Sequence, residues 1–149
     1  MDNNMSIIFD AKSQNEGLAR IAIAAFVTEL DPTVEEINDI KTAVSEAVTN
    51  SIIHGYNEGP GKIYMKCSLT INEAGKDALL RIEIKDEGIG IEDIDKAREP
   101  LFTTKPELER SGMGFMFMEM FMDDIQVASQ KDRGTTVIMT KKIKNNKSR

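Results

Sequence analysis

The stretch VSEAVTNSIIHG, residues 44–55, has the apolar spacing of the second half of an amphipathic helix. It also carries a carboxylate, Glu46, and a carboxamide, Asn50, one helical turn apart. At about 100° per residue, Glu46 lies roughly opposite the apolar stripe, and Asn50 lies about 40° from Glu46. Ile53 falls near Glu46 on this polar side, which is unusual for a face that meets only water. The pair therefore marks either the solvated side of a helix or a polar face directed at a ligand.

This helix has clear start and stop signals. Thr33, with Glu36 three residues later, predicts a capping box at its start. The helix is expected to run to His54, and Gly55 is expected to end it.

The same periodicity analysis divides the rest of the chain into elements. A helix is predicted over about 16–30, and a second, Met-rich helix contains FMFMEMFM. The predicted strands are a short one in MSIIFD, a hairpin over 62–72 and 78–86, and two more near 124–129 and 134–143. This order predicts an α/β (α+β) two-layer sandwich, in which a mixed, mostly antiparallel sheet is covered on one face by helices.

The composition restricts the class of protein. A chain of 149 residues, 40% apolar and 30% charged, is typical of one globular domain. The longest apolar run, IAIAAFV, is too short to span a membrane, and the start lacks a secretory pattern, so we expect a cytoplasmic protein. A net charge of −6 argues against binding nucleic acid; only the tail, 141–149, is basic, and we expect it to be frayed. The single cysteine, Cys67, falls on the apolar side of a strand and is expected to be buried rather than reactive.

A second chemical feature is the strand ALLRIEIKD, residues 78–86, which is followed by EGIG. Alternate residues from Ala78 to Ile84 are apolar, and by the same parity Asp86 points toward the buried face. Two interpretations stay open: Asp86 opens a turn, or it accepts a hydrogen bond from a ligand between sheet and helices. In the second case, Gly88 and Gly90 let the chain approach that ligand closely.

A third feature is RSGMGF, residues 110–115, at the start of the Met-rich helix. Glycines before a helix leave backbone N–H groups at the positive end of its dipole, which suits a phosphate. The preceding loop, with Pro100 and Pro106, has the length and composition of a lid. Its Lys105 and Arg110 are either solvated loop charges or groups that contact the terminal phosphates of a nucleotide.

Taken together, these motifs resemble a known ATP-binding fold. EAVTN, DEGIG, SGMG and GTTV occur in this order, as in the fold shared by DNA gyrase, the heat-shock protein of ninety kilodaltons, histidine kinases and MutL. This resemblance covers about residues 35–140. Within the superfamily, SEAVTNSIIHGY and LFTTKPELERSGMGF resemble the bacterial anti-sigma serine kinases, and here the resemblance covers nearly the whole chain. It implies a single ATP-binding kinase domain over 1–149, with the ATP pocket between the two layers.

The resemblance also implies a role for each matched residue. Glu46 would be the general base, and Asn50 would ligate the Mg²⁺ that bridges the ATP phosphates. Asp86 would receive the adenine amino group, and Thr135 would hold the same contact through water. His54, the only histidine, would be a cap or a pocket-edge residue. The remaining residues would shape the pocket or lie in its lid: Gly88, Gly90, Thr104, Lys105, Arg110, Ser111, Gly112, Met113 and Gly114.

The implied activity is that of a protein serine/threonine kinase with two alternative partners. A sporulation sigma factor would be held inactive, and an anti-anti-sigma protein would be phosphorylated on a serine, with ATP or ADP biasing partner choice. The first helix is apolar over more than one face and carries Arg20, which predicts a partner surface and a homodimer. A deeply buried helix with one exposed arginine is the alternative for that segment.

Two further functions stay open for the chain as a whole. One is a general-stress anti-sigma kinase, and the other is a nucleotide-dependent binding module with little kinase activity. A DNA-associated ATPase is disfavoured because the chain is acidic.

Overall fold

The computed structural model describes residues 2–91, 94, 98 and 114–148. In chain order, the described elements are β1 (Asp2–Asp10), α1 (Gln14–Val27), α2 (Val34–Asn50), β2 (Lys62–Ile71), β3 (Asp77–Asp86), α3 (Gly114–Phe121), β4 (Asp124–Gln130) and β5 (Gly134–Lys144). The five strands form one sheet in the order β1-β2-β3-β5-β4, and each neighbouring pair is antiparallel. The predicted two-layer fold is confirmed, although the described strands form a purely antiparallel sheet rather than a mixed one.

The sheet buries one face and exposes the other. Along β2, Ile63, Met65 and Leu69 are fully buried, whereas Lys62 before them and Lys66 between them are exposed. An antiparallel sheet tolerates this arrangement because only one of its faces needs to be covered by helices. The inward side chains and the helices share one hydrophobic core.

This hydrophobic core extends beyond residues 35–140, the range of the superfamily resemblance. It includes Phe9 of β1, Ile23 and Val27 of α1, and Ile143 of β5. β1 pairs with β2 from Asp2 to Asp10, so the first strand is longer than the MSIIFD segment predicted it to be.

The basic tail was expected to be frayed, and this is wrong for its described residues. Lys141–Lys144 belong to β5, which pairs with β3 as far as Lys144 and buries Ile143. Beyond β5, Asn146–Ser148 form a 3₁₀ turn, and the Asn146 side-chain amide donates to the Asp31 carbonyl at 2.9 Å. The strand predicted near 134–143 already included residues 141–143, so the strand prediction is confirmed there and the expectation of a frayed tail is not.

The start of α2 confirms the predicted capping box. The Glu36 backbone N–H donates to Thr33 Oγ1 at 3.1 Å, and the Thr33 N–H donates to Glu36 Oε1 at 2.9 Å. Each side chain thereby satisfies one backbone donor that the first helical turn leaves without an intrahelical partner.

The end of α2 differs from the prediction. The α-helix stops at Asn50, and Ser51–Gly55 form a π-helical turn, in which the Tyr56 N–H donates to the Ser51 carbonyl at 2.9 Å. Gly55 lacks the positive φ of a glycine cap, so a different constraint requires glycine there.

Helix α1 is shorter and more exposed than expected. It ends at Val27, and the chain tightens into a 3₁₀ turn over Thr28–Leu30. Leu18 is 49% exposed and Ile21 is 70% exposed, so the alternative of a deeply buried helix is wrong. The described helices all lack the length and apolar character that a membrane crossing requires.

Candidate functional site

Asp86 is a buried carboxylate at the end of β3. It is 3% exposed and accepts three hydrogen bonds: from Ser51 Oγ at 2.8 Å, from the Gly88 N–H at 3.0 Å and from the Thr135 N–H at 3.3 Å. The turn interpretation of Asp86 is confirmed, because its side chain accepts from the second residue after it, as in an Asx turn. The side chain also points inward, and its hydrogen bond to a ligand stays a prediction. Burial raises the pKa of the Asp86 carboxyl, and the donors Gly88, Ser51 and Thr135 oppose that rise. The result is a buried acceptor that three segments of the chain hold in place.

Glycines let these segments come together. A Cβ on Gly55 would lie 2.9 Å from Asp86 Cγ, which explains why glycine is required at this position. A Cβ on Gly88 would lie 2.0 Å from the Gly55 carbonyl oxygen, and one on Gly90 would lie 2.2 Å from the Gln130 carbonyl oxygen. At both positions the protein's own backbone occupies the space that a Cβ would fill, and the close approach of Gly88 and Gly90 to a ligand stays a prediction.

Thr135 lies on the inner face of β5, as its parity with Val137 and Met139 predicts. Its hydroxyl lies 2.9 Å from the hydroxyl of Ser129, which accepts from the Ile91 N–H at 2.7 Å. Ser129 was not predicted, although the alternation of β4 with inward Ile125 and Val127 would have placed it on the same face. Thr135 and Ser129 therefore extend the polar cluster around Asp86 toward the chain that follows DEGIG.

Tyr56 secures the loop beside Asp86. Its hydroxyl donates to the Lys62 carbonyl at 2.5 Å and accepts from the Glu87 N–H at 2.7 Å. Burial raises the pKa of this phenol, which keeps it a neutral donor. No sequence pattern indicates this role, because the two contacts join residues that no periodicity relates.

Glu46 and Asn50 lie one turn apart on α2, and both are half-buried. α2 packs against both α1 and α3, and Ala43, Ala47 and Ile53 are buried. This side of the helix is therefore partly covered by protein rather than fully solvated. His54 is half-buried in the π-helical turn, and its role as a cap or pocket-edge residue stays a prediction.

The chain described here includes only part of the predicted phosphate side. Gly114 is buried and is the first residue of α3. Arg98 Nε donates to Glu119 Oε1 of α3 at 2.6 Å. The other predicted residues of this region lie outside the described residues: Thr104, Lys105, Arg110, Ser111, Gly112 and Met113.

The protein oxygens of α2 suit a metal that arrives with a nucleotide. Within residues 2–91, 94, 98 and 114–148, no group of three or more His, Cys, Asp or Glu side chains is placed to hold a metal ion alone. Mg²⁺ in nucleotide sites is usually held by one or two protein oxygens together with phosphates and water. The Asn50 carboxamide, with the Glu46 carboxylate one turn away, fits that kind of donor set.

Cys67 does not belong to the polar cluster around Asp86. It is 3% exposed on the inner face of β2, and burial raises the pKa of its thiol to about 12. The prediction that Cys67 is buried is confirmed.

Comparison with known proteins gives a consistent result. Residues 9–141 match the family model of the histidine kinase-like ATPase domain. The anti-sigma F factor of Oceanobacillus iheyensis is 55% identical over 149 residues, which cover 99% of this chain and 98% of the relative. That of Clostridium perfringens strain 13 is 56% identical over 144 residues, or 96% and 99% of the two chains.

A solved structure supports the fold. The crystal structure of the RsbU and RsbW domains of Rv1364c from Mycobacterium tuberculosis matches 95% of this chain and 33% of its own, with a TM-score of 0.63 at 18% identity. Because the family model and the relatives both match almost from end to end, this chain belongs to the anti-sigma F factor family and carries its histidine kinase-like ATPase domain.

Proposed function

We propose that this chain is a partner-switching anti-sigma kinase, which binds a sporulation sigma factor and uses Mg-ATP to phosphorylate a serine of an anti-anti-sigma protein. The observation that carries the proposal is the buried Asp86 carboxylate, held by three donors in a chain of this family. Burying a carboxylate without a cationic partner costs folding free energy. Such a group is a candidate for function, and here it would accept a hydrogen bond from an amino group of a ligand.

Adenine recognition is assigned to Asp86 and Thr135. The Asp86 carboxylate accepts the 6-amino group of adenine, and the Thr135 hydroxyl supports that contact through water. A site built to accept from an amino group disfavours guanine, because guanine presents a carbonyl oxygen at the same position.

Phosphoryl transfer is assigned to the α2 pair. The substrate serine oxygen forms a bond to the γ-phosphorus, the bond to the ADP oxygen breaks, and the serine proton passes to the Glu46 carboxylate. Asn50 supplies an oxygen ligand for Mg²⁺, which neutralises phosphate charge when it is bound. Lys105, Arg110 and Ser111 are assigned to the lid over the phosphates, together with Thr104, Gly112 and Met113.

The partner surface is assigned to α1. Leu18 and Ile21 are exposed there, beside Arg20, whose guanidinium pairs with Glu16 at 3.0 Å. Exposed apolar side chains next to a charged group are typical of a protein interface. We also assign to the chain a single domain, a homodimeric state and a cytoplasmic location.

The test is to incubate the purified chain with labelled ATP, Mg²⁺ and a candidate anti-anti-sigma protein. The matched control is Glu46→Gln, which keeps the shape of the side chain but removes the base. We expect transfer to the substrate to fall by about a hundredfold or more, with ATP binding retained in calorimetry.

Each other outcome has a distinct meaning. Equal labelling by both proteins would show that Glu46 is not the base. ATP binding without labelling by the unmodified chain would favour a nucleotide-dependent binding module. An absence of heat on ATP titration would overturn the nucleotide site itself.

A further inference from the structure

Ser51 uses its hydroxyl differently from Thr28 and Thr42, two other hydroxyl residues of the helix layer. Thr28 and Thr42 donate to the carbonyl four residues earlier, to Ala24 and Asn38, each at 2.8 Å. This back-bonding is the ordinary local partner for such a side chain. Ser51, which is 4% exposed, instead donates to Asp86 Oδ2 at 2.8 Å, across from the helix layer to the end of β3. Its hydroxyl is thus committed to the buried carboxylate.

The two oxygens of Asp86 are not equivalent. Oδ1 accepts two backbone N–H groups, from Gly88 and Thr135, and a carboxylate oxygen has two lone pairs for such bonds. Among the described residues, Oδ2 accepts from Ser51, which uses one of its two lone pairs. The amino group of a ligand would therefore donate to Oδ2, the oxygen that accepts from Ser51.

The π-helical turn makes this arrangement possible. Ser51 is the first residue of the turn, and its hydroxyl donates to the Asp86 carboxylate. Gly55 is the last, and it lacks the Cβ that would lie 2.9 Å from the same carboxylate. Single π-helical turns are frequent at functional sites. The turn thus supplies one donor to Oδ2 and, by ending in glycine, brings no side chain against the carboxylate.

We infer that Ser51 is a positioning residue that aims Asp86 Oδ2 at the 6-amino group of adenine and thereby sets the preference for adenine over purines that lack this group. This inference rests on the proposed nucleotide site. The backbone donors to Oδ1 remain whatever side chain is present, so only the Ser51 bond is removed by a side-chain substitution at position 51.

The test compares two ligands on the Ser51→Ala variant. Calorimetry with ATP and with the triphosphate of purine riboside, which has no 6-amino group, gives the affinity ratio for each protein. We expect the variant to bind ATP about tenfold more weakly, the size of a lost hydrogen bond to a charged group, and to bind the analogue as the unmodified chain does. A role limited to stability would weaken both ligands equally.

The matched control is Ser45→Ala. Ser45 lies within α2 and donates its hydroxyl to the Glu16 carboxylate, so the substitution removes the same atoms from a different carboxylate. We expect this control to leave the affinity ratio unchanged. In an Asp86→Asn background, Ser51→Ala is also expected to leave the ratio unchanged, because the oxygen that it positions is gone.

The outcomes separate this inference from the proposed function. If the unmodified chain binds neither ligand, the nucleotide site is wrong. If it binds ATP but Ser51→Ala leaves the ratio unchanged, or lowers both affinities equally, the positioning role is overturned and the nucleotide site stands.

Discussion

The two ends of the proposed site are built in opposite ways. At the adenine end, Asp86 collects donors from Ser51, Gly88 and Thr135, residues that lie on three separate segments. At the catalytic end, Glu46 and Asn50 come from one helix and are neighbours by periodicity alone. The adenine end is buried and tightly packed, whereas the two catalytic side chains are half-buried. The comparison indicates that changes at the first end affect binding and stability together, and that changes at the second end affect chemistry.

The largest effect on ATP affinity should come from the Asp86 carboxylate. We expect Asp86→Asn to weaken ATP binding by about a hundredfold, because the amide lacks the charge that strengthens the bond to an amino donor. Glu46→Gln, at the other end, should change ATP affinity little. Isothermal titration of both variants measures this difference, and equal losses of affinity would remove the distinction between the two ends.

A smaller effect, on stability, is expected at Gly55, whose backbone lies beside the Asp86 carboxylate. A Cβ on Gly55 would lie 2.9 Å from Asp86 Oδ2, so Gly55→Ala should lower the free energy of unfolding by about 1–3 kcal/mol, as overpacking does. Chemical denaturation of the purified variant measures the change.

The control for this substitution is Gly17→Ala in α1. There the nearest atom to a new Cβ is an Arg20 nitrogen at 3.9 Å, so alanine should raise stability by roughly 0.5–1 kcal/mol, its helical advantage over glycine. If the Gly55→Ala variant is as stable as the unmodified chain, the π-helical turn shifts to accommodate the added Cβ and the prediction is wrong.

The smallest effect concerns pH. Burial raises the folded pKa of the Asp86 carboxyl above its ordinary 3.8, so the folded chain binds this proton more tightly than the unfolded chain does. The contribution of Asp86 to stability therefore falls as pH rises from about 3.8 to the folded pKa, and is constant above it. Asp86→Asn lacks this dependence, so its stability relative to the unmodified chain should increase over that window in urea unfolding.

Asp10 supplies the control of opposite sign. Its pKa is lowered by the hydrogen bond and charge of Lys62, so its contribution is present above the ordinary pKa and is lost as pH falls. The stability of Asp10→Asn relative to the unmodified chain should therefore decrease as pH rises. The same slope for both variants would contradict the opposite environments of the two carboxyls.

The predictions that the structure confirms all rest on local pattern. Period two placed Asp86 and Thr135 on the inner face, and the spacing of Thr33 and Glu36 gave the capping box. The misses are of another kind. Gly55 was interpreted as a helix cap, but its requirement comes from a carboxylate 31 positions away in the chain. Ser51 likewise bonds to a carboxylate 35 positions away in the chain, which no local pattern predicts.

The sequence by itself determined the elements, the inward direction of Asp86 and the family to which the ordered motifs point. Helix and strand periods, caps and turns depend on residues a few positions apart, so they can be predicted from the sequence. Only the tertiary structure decided that a π-helical turn meets the end of β3, that Ser51 donates to Asp86 and that the space beside Gly55 and Gly88 is filled. These contacts depend on how separate elements pack, and a buried carboxylate finds its donors only after the layers have closed around it.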